Sequence, residues 1–220
     1  SEAAHTSVQK AQIPLDIHKF VIKGSHFKFI DYDVDKNGFV VVFQEIDASF
    51  LDIRLPVSTT KTHYEIRAVM PQGRDQRSAE ITASGWTQFA NAETDANMSL
   101  QGGFLPYFRP YYAQVTPASI EDGYVDTRTN VRIKNKDLTA SVDIEMIGLL
   151  FRSYEEEDQL FGLKAEEVLS FLKDRSGRLK FQIVLKWNMA DRSVKLKDVI
   201  RKSIERSLKS TVIGNIGNIL

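Results

Sequence analysis

The sequence predicts a mainly β domain: an antiparallel, strongly curved sheet with an apolar inner face, followed by C-terminal helices (α+β). Three observations predict it. Apolar residues recur at every second position through most of residues 13–146, the period of a half-buried strand. The patterned runs are separated by turn signals such as Asn37-Gly38, Pro71-Gln72-Gly73 and Gly102-Gly103. Helical spacing is confined to 164–173 and 197–212.

Residues 1–12 are small and polar and read as a flexible N-terminal segment. Ile13, Leu15 and Ile17 open the first alternating run, and Phe27 and Phe29 continue it after Gly24. Asn37-Gly38 then separates it from the dense run Phe39 to Phe43, a short-range hairpin signal. A further run, Ile46 to Leu55, stops at Pro56. Tyr64, Ile66, Ala68 and Met70 alternate, as do Ala79, Ile81 and Ala83 before Gly85-Trp86, and Met98 and Leu100 before Gly102-Gly103. The aromatic segment Phe104 to Tyr112 contains Pro106 and Pro110 and reads as an ordered connection outside the ladder. A second hairpin joins Tyr124–Ile133 to Leu138–Met146 around Asn135-Lys136-Asp137. In its second strand Leu138, Ala140, Val142, Ile144 and Met146 share one face, and Thr139, Ser141, Asp143 and Glu145 share the other.

Val168, Leu169 and Leu172 predict a helix near 164–173, ended by Ser176-Gly177. Leu179, Phe181, Ile183, Leu185 and Trp187 predict one more strand. Over 197–212, Val199, Ile200, Ile204, Leu208 and Val212 form a helical stripe beside Arg201, Lys202, Arg206 and Lys209. Docking on the sheet would bury that stripe, and an anionic membrane surface would take both stripe and charge; the preceding strand favours docking. The domain thus spans 13–212, and 213–220 is an apolar, glycine-broken tail resembling a truncated continuation. A weak internal repeat pairs Ile22-Lys23-Gly24 with Ile120-Glu121-Asp122-Gly123, each ahead of a hairpin.

Of 220 residues, 29 are Lys or Arg and 29 are Asp or Glu, so no global basic excess invites nucleic acid. With Cys at 0, disulfides, thiolate zinc sites and thiol catalysis are excluded. No apolar run reaches the roughly 18 residues that a spanning helix needs. The N-terminal Ser1-Glu2-Ala3-Ala4-His5 fits a processed or excised chain.

Asp33-Val34-Asp35-Lys36-Asn37-Gly38 fits the opening of a calcium loop. Its twelfth position is Gln44 where a bidentate Glu is required, and its flanks read as strands, so a polar hairpin tip is the better reading. His5, His18, His26 and His63 have no ligand spacing, and no nucleophile elbow or phosphate loop is present. Glu155-Glu156-Glu157-Asp158 reads as a solvated charge run, and Asn97-Met98-Ser99 matches a glycosylation triplet without context. Phe104, Tyr107, Phe108, Tyr111 and Tyr112 could stack sugars or bases, but a packed corner over the sheet edge returns more energy. Trp86 and Trp187 fall on apolar faces and are expected in the core.

A family resemblance rests on several segments. Phe161-Gly162-Leu163-Lys164, Glu167 through Arg175 and Ser176-Gly177-Arg178-Leu179 form the most specific one, followed by Asp191 through Leu196 and Val199-Ile200. Upstream stand Phe104 through Phe108, Tyr111-Tyr112, Ile120 through Gly123, and Phe27 through Asp31. Together they resemble AsmA-like bacterial envelope proteins of the DUF748 type, over about residues 13–212. Lys186-Trp187-Asn188 departs from that family's Ser-Gly turn, and Arg192 from its Pro. The resemblance implies a piece of a periplasmic protein anchored in the inner membrane of a Gram-negative bacterium. It further implies kinship with bridge-like lipid carriers that serve phospholipid transport and outer-membrane maintenance.

The expectation is therefore a non-enzymatic segment, without cofactor, metal or nucleic-acid partner, offering an apolar groove to lipid acyl chains. Val142, Ile144, Met146, Phe181, Ile183 and Leu185 are the candidate groove residues, because each alternates with polar neighbours. The same faces could instead meet the helices as a dry core. A different reading is a scaffolding domain docking to flanking domains or other envelope proteins through its sheet edges.

Overall fold

A computed structural model describes residues 14–73, 77–112, 119–151, 159–160, 163–164, 178–191 and 193, with Val199, Lys202, Ser203, Arg206, Ser207 and Ser210 described singly. Eight strands form one antiparallel sheet: β1 (Leu15–Asp31), β2 (Phe39–Leu55), β3 (Thr62–Pro71), β4 (Ser78–Gln88), β5 (Glu93–Phe104), β6 (Ile120–Lys134), β7 (Asp137–Phe151) and β10 (Arg178–Asn188). Their spatial order is β1-β2-β3-β4-β5-β6-β7-β10, so β1 and β10 are the two edges and the sheet is not closed. Between β7 and β10 in the chain lies a two-residue pair, β8 (Gln159–Leu160) with β9 (Leu163–Lys164). Each strand of the large sheet pairs with its sequence neighbour among the eight, the cheapest topology for loop-closure entropy.

Alternation produces these strands, but the phase of alternation changes along several of them. In β1 the face shared by Phe20 and Ile22 is continued by Phe27 and Phe29, an odd number of residues later. The register shifts between Ile22 and Phe27, where Gly24 has φ 58. In β2 the partner shift falls between Gln44 and Asp47, with Glu45 at φ 50. The two sequence runs 39–43 and 46–55 are thus one strand of 17 residues with a bulge, not two elements. Gly102 at φ 72 marks a shift on β5, and Gly123 at φ 130 and Gly148 at φ 64 mark shifts on β6 and β7. The repeat around Gly24 and Gly123 takes its meaning here. Both glycines lie inside the first strand of a long hairpin, not ahead of it, and each accommodates a bulge.

The β6–β7 hairpin turns on Asn135 (φ 52) and Lys136 (φ 67), the left-handed pair that a two-residue turn requires. The β1–β2 connection is longer than Asn37-Gly38 suggests: it runs from Tyr32 to Gly38. Its polar residues serve the turn itself. The Asp31 carboxylate accepts the Asp33 N–H at 2.9 Å, the Asp35 carboxylate accepts the Asn37 N–H at 2.8 Å, and the Gly38 N–H reaches the Asp35 carbonyl at 2.8 Å.

Phe104 ends β5; Leu105–Phe108 then form a 3-10 turn and Arg109–Tyr112 a single helical turn, α1. This segment packs as a corner. Tyr107 lies 5.2 Å from Phe39 and 5.3 Å from Phe108 between ring centroids, and Tyr111 meets Phe39 edge-on at 5.4 Å. The Tyr107 hydroxyl donates to the Val40 carbonyl at 3.1 Å. Tyr107 and Phe108 cover a cluster of Val41, Met70 and Ala79, which is among the most buried parts of the sheet. Burial pushes the Tyr107 hydroxyl above its ordinary pKa.

The expected helix near 164–173 lies outside the described residues, apart from Lys164, which is extended and belongs to β9. Within 197–212 the six singly described residues have helical backbone, and the remainder of that expected helix lies outside the described residues. So do residues 1–12, most of the resemblance segment 161–177 and the tail 213–220.

Candidate functional site

The register carries single rows of side chains across all eight strands. One row runs Ile22, Ala48, Ile66, Ala83, Met98, Thr129, Val142, Ile183. The next row on the same face runs Phe20, Phe50, Tyr64, Gly85, Ala96, Val131, Ala140, Leu185. A third, shorter row links Ala68, Ile81, Leu100, Thr127, Ile144 and Phe181. The intervening rows point the other way and are polar: Arg67, Thr82, Ser99, Arg128, Asp143 and Gln182 form one of them.

All six residues singled out from the sequence fall on the first face. Val142 is opposite Ile183, Ile144 is opposite Phe181, Leu185 is opposite Ala140, and Met146 is opposite Leu179. The structure thus brings them together on β7 and β10 in adjacent rows. Ile183 is buried, and Val142, Ile144, Met146, Phe181 and Leu185 are half-buried. Trp187, opposite Leu138, extends the same face. Its Nε1 is buried and has no acceptor among the described residues.

The six residues lie on two strands, and the rows that hold them continue through β6 to β1. Ala48, Ala96 and Ala140 are buried within them, while Phe20 and Met98 remain 48% and 46% exposed. Phe20, Phe50 and Tyr64 form a ladder with ring centroids 6.2 and 6.5 Å apart. Burial raises the Tyr64 hydroxyl above its ordinary pKa, with the Asp95 charge adding to the effect. Period 2 was visible in each of these strands. What was missing is which strand lies beside which, and the bulges that exchange odd and even positions.

Trp86 is a correction to the expected core. Its parity on β4 is that of Ser84 and Thr82, so it stands on the polar face, where Lys61 Nζ sits 3.7 Å above its ring. On that face charges are paired across strands. Arg132 meets Asp95 at 2.8 Å, Arg178 meets Glu145 at 2.7 Å, and Gln182 donates to Asp143 at 2.7 Å. On the other side, at the start of β1 and in line with Phe20 and Ile22, Arg54 reaches Asp16 at 2.6 Å. The hydrogen bond from Arg178, reinforced by Lys180, holds the Glu145 carboxyl below its ordinary range, and the bond from Arg54 does the same for Asp16.

Asp33, Asp35 and Asn37 lie in the turn described above, flanked by strands β1 and β2. Among the described residues, no group of three or more His, Asp or Glu is placed to hold a metal ion. Among the same residues, no helix is long and apolar enough to cross a membrane. The chain matches no protein-family model, no curated protein and no solved structure.

Proposed function

We propose that this chain is a non-enzymatic segment of a cell-envelope protein whose sheet carries lipid acyl chains along one face. The observation that supports the reading is the row continuity: apolar or small residues stay in line across all eight strands of an open sheet. In this reading the sheet is strongly curved and the face is its inner surface. Alanines and Gly85 on β4, β5 and β7 leave depth for a chain beside Met98, and Phe20, Phe50 and Leu185 flank it towards the two edges. Each CH₂ moved there from water contributes about 0.8 kcal/mol. The resemblance to AsmA-like proteins supplies the setting: a parent anchored in the inner membrane, this segment in the periplasm, and phospholipid transport or outer-membrane maintenance as the task.

The experiment is native mass spectrometry of the purified protein with organic extraction. Bound phospholipid is expected. Ile144→Asp places a charge on the apolar face and should lower bound lipid several-fold. Ser141→Asp places the same charge on the opposite face of β7 and should leave it unchanged. Circular dichroism establishes that both variants fold. Equal lipid retention in the two variants contradicts the groove.

A second reading, a scaffolding domain that docks through sheet edges, is favoured by β1, an edge strand of 17 residues. It predicts lipid-free protein and protection of β1 amides only when flanking domains of the parent chain are present. Lys19, Lys23 and Lys28 on that strand weigh against it, since edge lysines discourage strand addition.

A further inference from the structure

β10 has a second neighbour besides β7. Ser207 donates its hydroxyl proton to the Gln182 carbonyl, which ties the helical residues of the C-terminal segment to this edge strand. Between them lies a cleft of about 530 Å³, lined by Lys186 on β10 and by Lys202, Ser203 and Arg206 from the helical side. Val184 and Val199 give it an apolar wall. The cleft opens on the face opposite Phe181, Ile183 and Leu185, so it is separate from the proposed groove.

Three features mark it. Lys202 and Arg206 are four residues apart and therefore share one side of a helix, facing Lys186 across the cleft. None of its described lining residues is acidic. And none of the three cations has a carboxylate partner among the described residues, whereas Arg54, Arg132, Arg178 and Lys180 on the sheet all do. Among the described residues, positive charge thus converges on this cleft with no carboxylate partner. Like charges gathered round a cleft repel one another, and a multivalent anion reverses the sign of that energy.

We propose that this cleft binds a phosphate group, held by Lys186, Lys202 and Arg206. Arg206 supplies a planar fork matched to two phosphate oxygens, and the two lysines act as point charges on the rest. The volume lies within the range of ligand clefts, about 300–1,000 Å³, and leaves room for an organic group against Val184 and Val199. Ser207 and Ser210 have committed their hydroxyl protons to the Gln182 and Ser207 carbonyls, so the charged side chains carry the recognition. The phosphate belongs either to a soluble phosphate ester or to a lipid headgroup. The site stands whether or not the groove carries acyl chains.

The test uses the full chain with two probes: inorganic phosphate, followed by calorimetry at constant ionic strength, and phosphatidylcholine vesicles with or without phosphatidic acid, followed by flotation. The triple variant Lys186→Gln, Lys202→Gln, Arg206→Gln should weaken binding by at least about tenfold, as loss of charge-assisted hydrogen bonds requires. Arg206→Gln alone should weaken it by a smaller factor, and serves if the triple variant melts early. The control removes the same charge elsewhere: Lys19→Gln, Lys23→Gln, Lys28→Gln should retain binding. Saturable phosphate binding without flotation identifies a soluble ester. Flotation only with phosphatidic acid, lost in the cleft variants, identifies a headgroup. No saturable response to either probe, or equal losses in the cleft and control variants, overturns the proposal.

Discussion

At Gly24 a single residue decides which way the rest of β1 faces. Its φ of 58 lies in the left-handed region, and its N–H is taken by the Asp47 carboxylate of β2 at 3.0 Å. A Cβ at this position would meet no atom within 4 Å, so any penalty for a side chain is conformational rather than steric. Gly24→Ala should therefore destabilise by about 1 kcal/mol, and Gly24→Asn by less, since Asn tolerates this backbone. Equal melting temperatures for wild type and Gly24→Ala would refute the assignment. The same parity switch at Glu45 was illegible in the sequence, because a residue without glycine's freedom adopts φ 50 there. Charge acts at this scale too. Arg178 donates to Glu145 and lowers the carboxyl pKa in the folded chain. Glu145 therefore favours the fold above its ordinary value of 4.5, and that contribution is lost as pH falls through the lowered value. The melting-temperature difference between wild type and Glu145→Gln should be largest at neutral pH and vanish in acid. A difference independent of pH contradicts the pairing.

At the scale of elements, the two long hairpins were readable for different reasons. Asn135-Lys136 adopts the left-handed pair that its position between two alternating strands implies. The first hairpin was readable only as a pairing: its connection extends over Tyr32–Gly38, and Asp31 and Asp35 cap the turn with their carboxylates. The Asp35 carboxylate is also the one that a cation would need at position three of the loop, and position twelve is Gln44. Millimolar calcium should leave the melting temperature unchanged. A calcium-dependent rise that disappears in Asp35→Ala would show that the loop binds. β7 and β10 were legible residue by residue because no bulge interrupts 138–146 or 179–187. The aromatic segment 104–112 was legible as a connection, but its landing place on Val41, Met70 and Ala79 depends on a fold that spacing does not encode.

For the whole molecule, the open eight-strand sheet follows from alternation and from the pairing of successive long strands, and its single-face rows follow from register. The candidate face was half legible: β7 and β10 were identified, and the continuation to β1 emerges only when the bulges restore odd and even positions to one side. In the proposed function this face, and not the opposite one, takes acyl chains, a claim about sides of the sheet. The chain's 2 tryptophans make that claim directly measurable. Trp187 lies on the apolar face beside Leu138, and Trp86 lies on the polar face under Lys61. Trp86→Phe leaves Trp187 as the only reporter, and Trp187→Phe leaves Trp86. Brominated phospholipid quenches indole fluorescence only on contact, so its addition should quench the Trp86→Phe protein and leave the Trp187→Phe protein bright. Equal quenching of both, or quenching of Trp86 alone, would contradict the assignment of the lipid-bearing face.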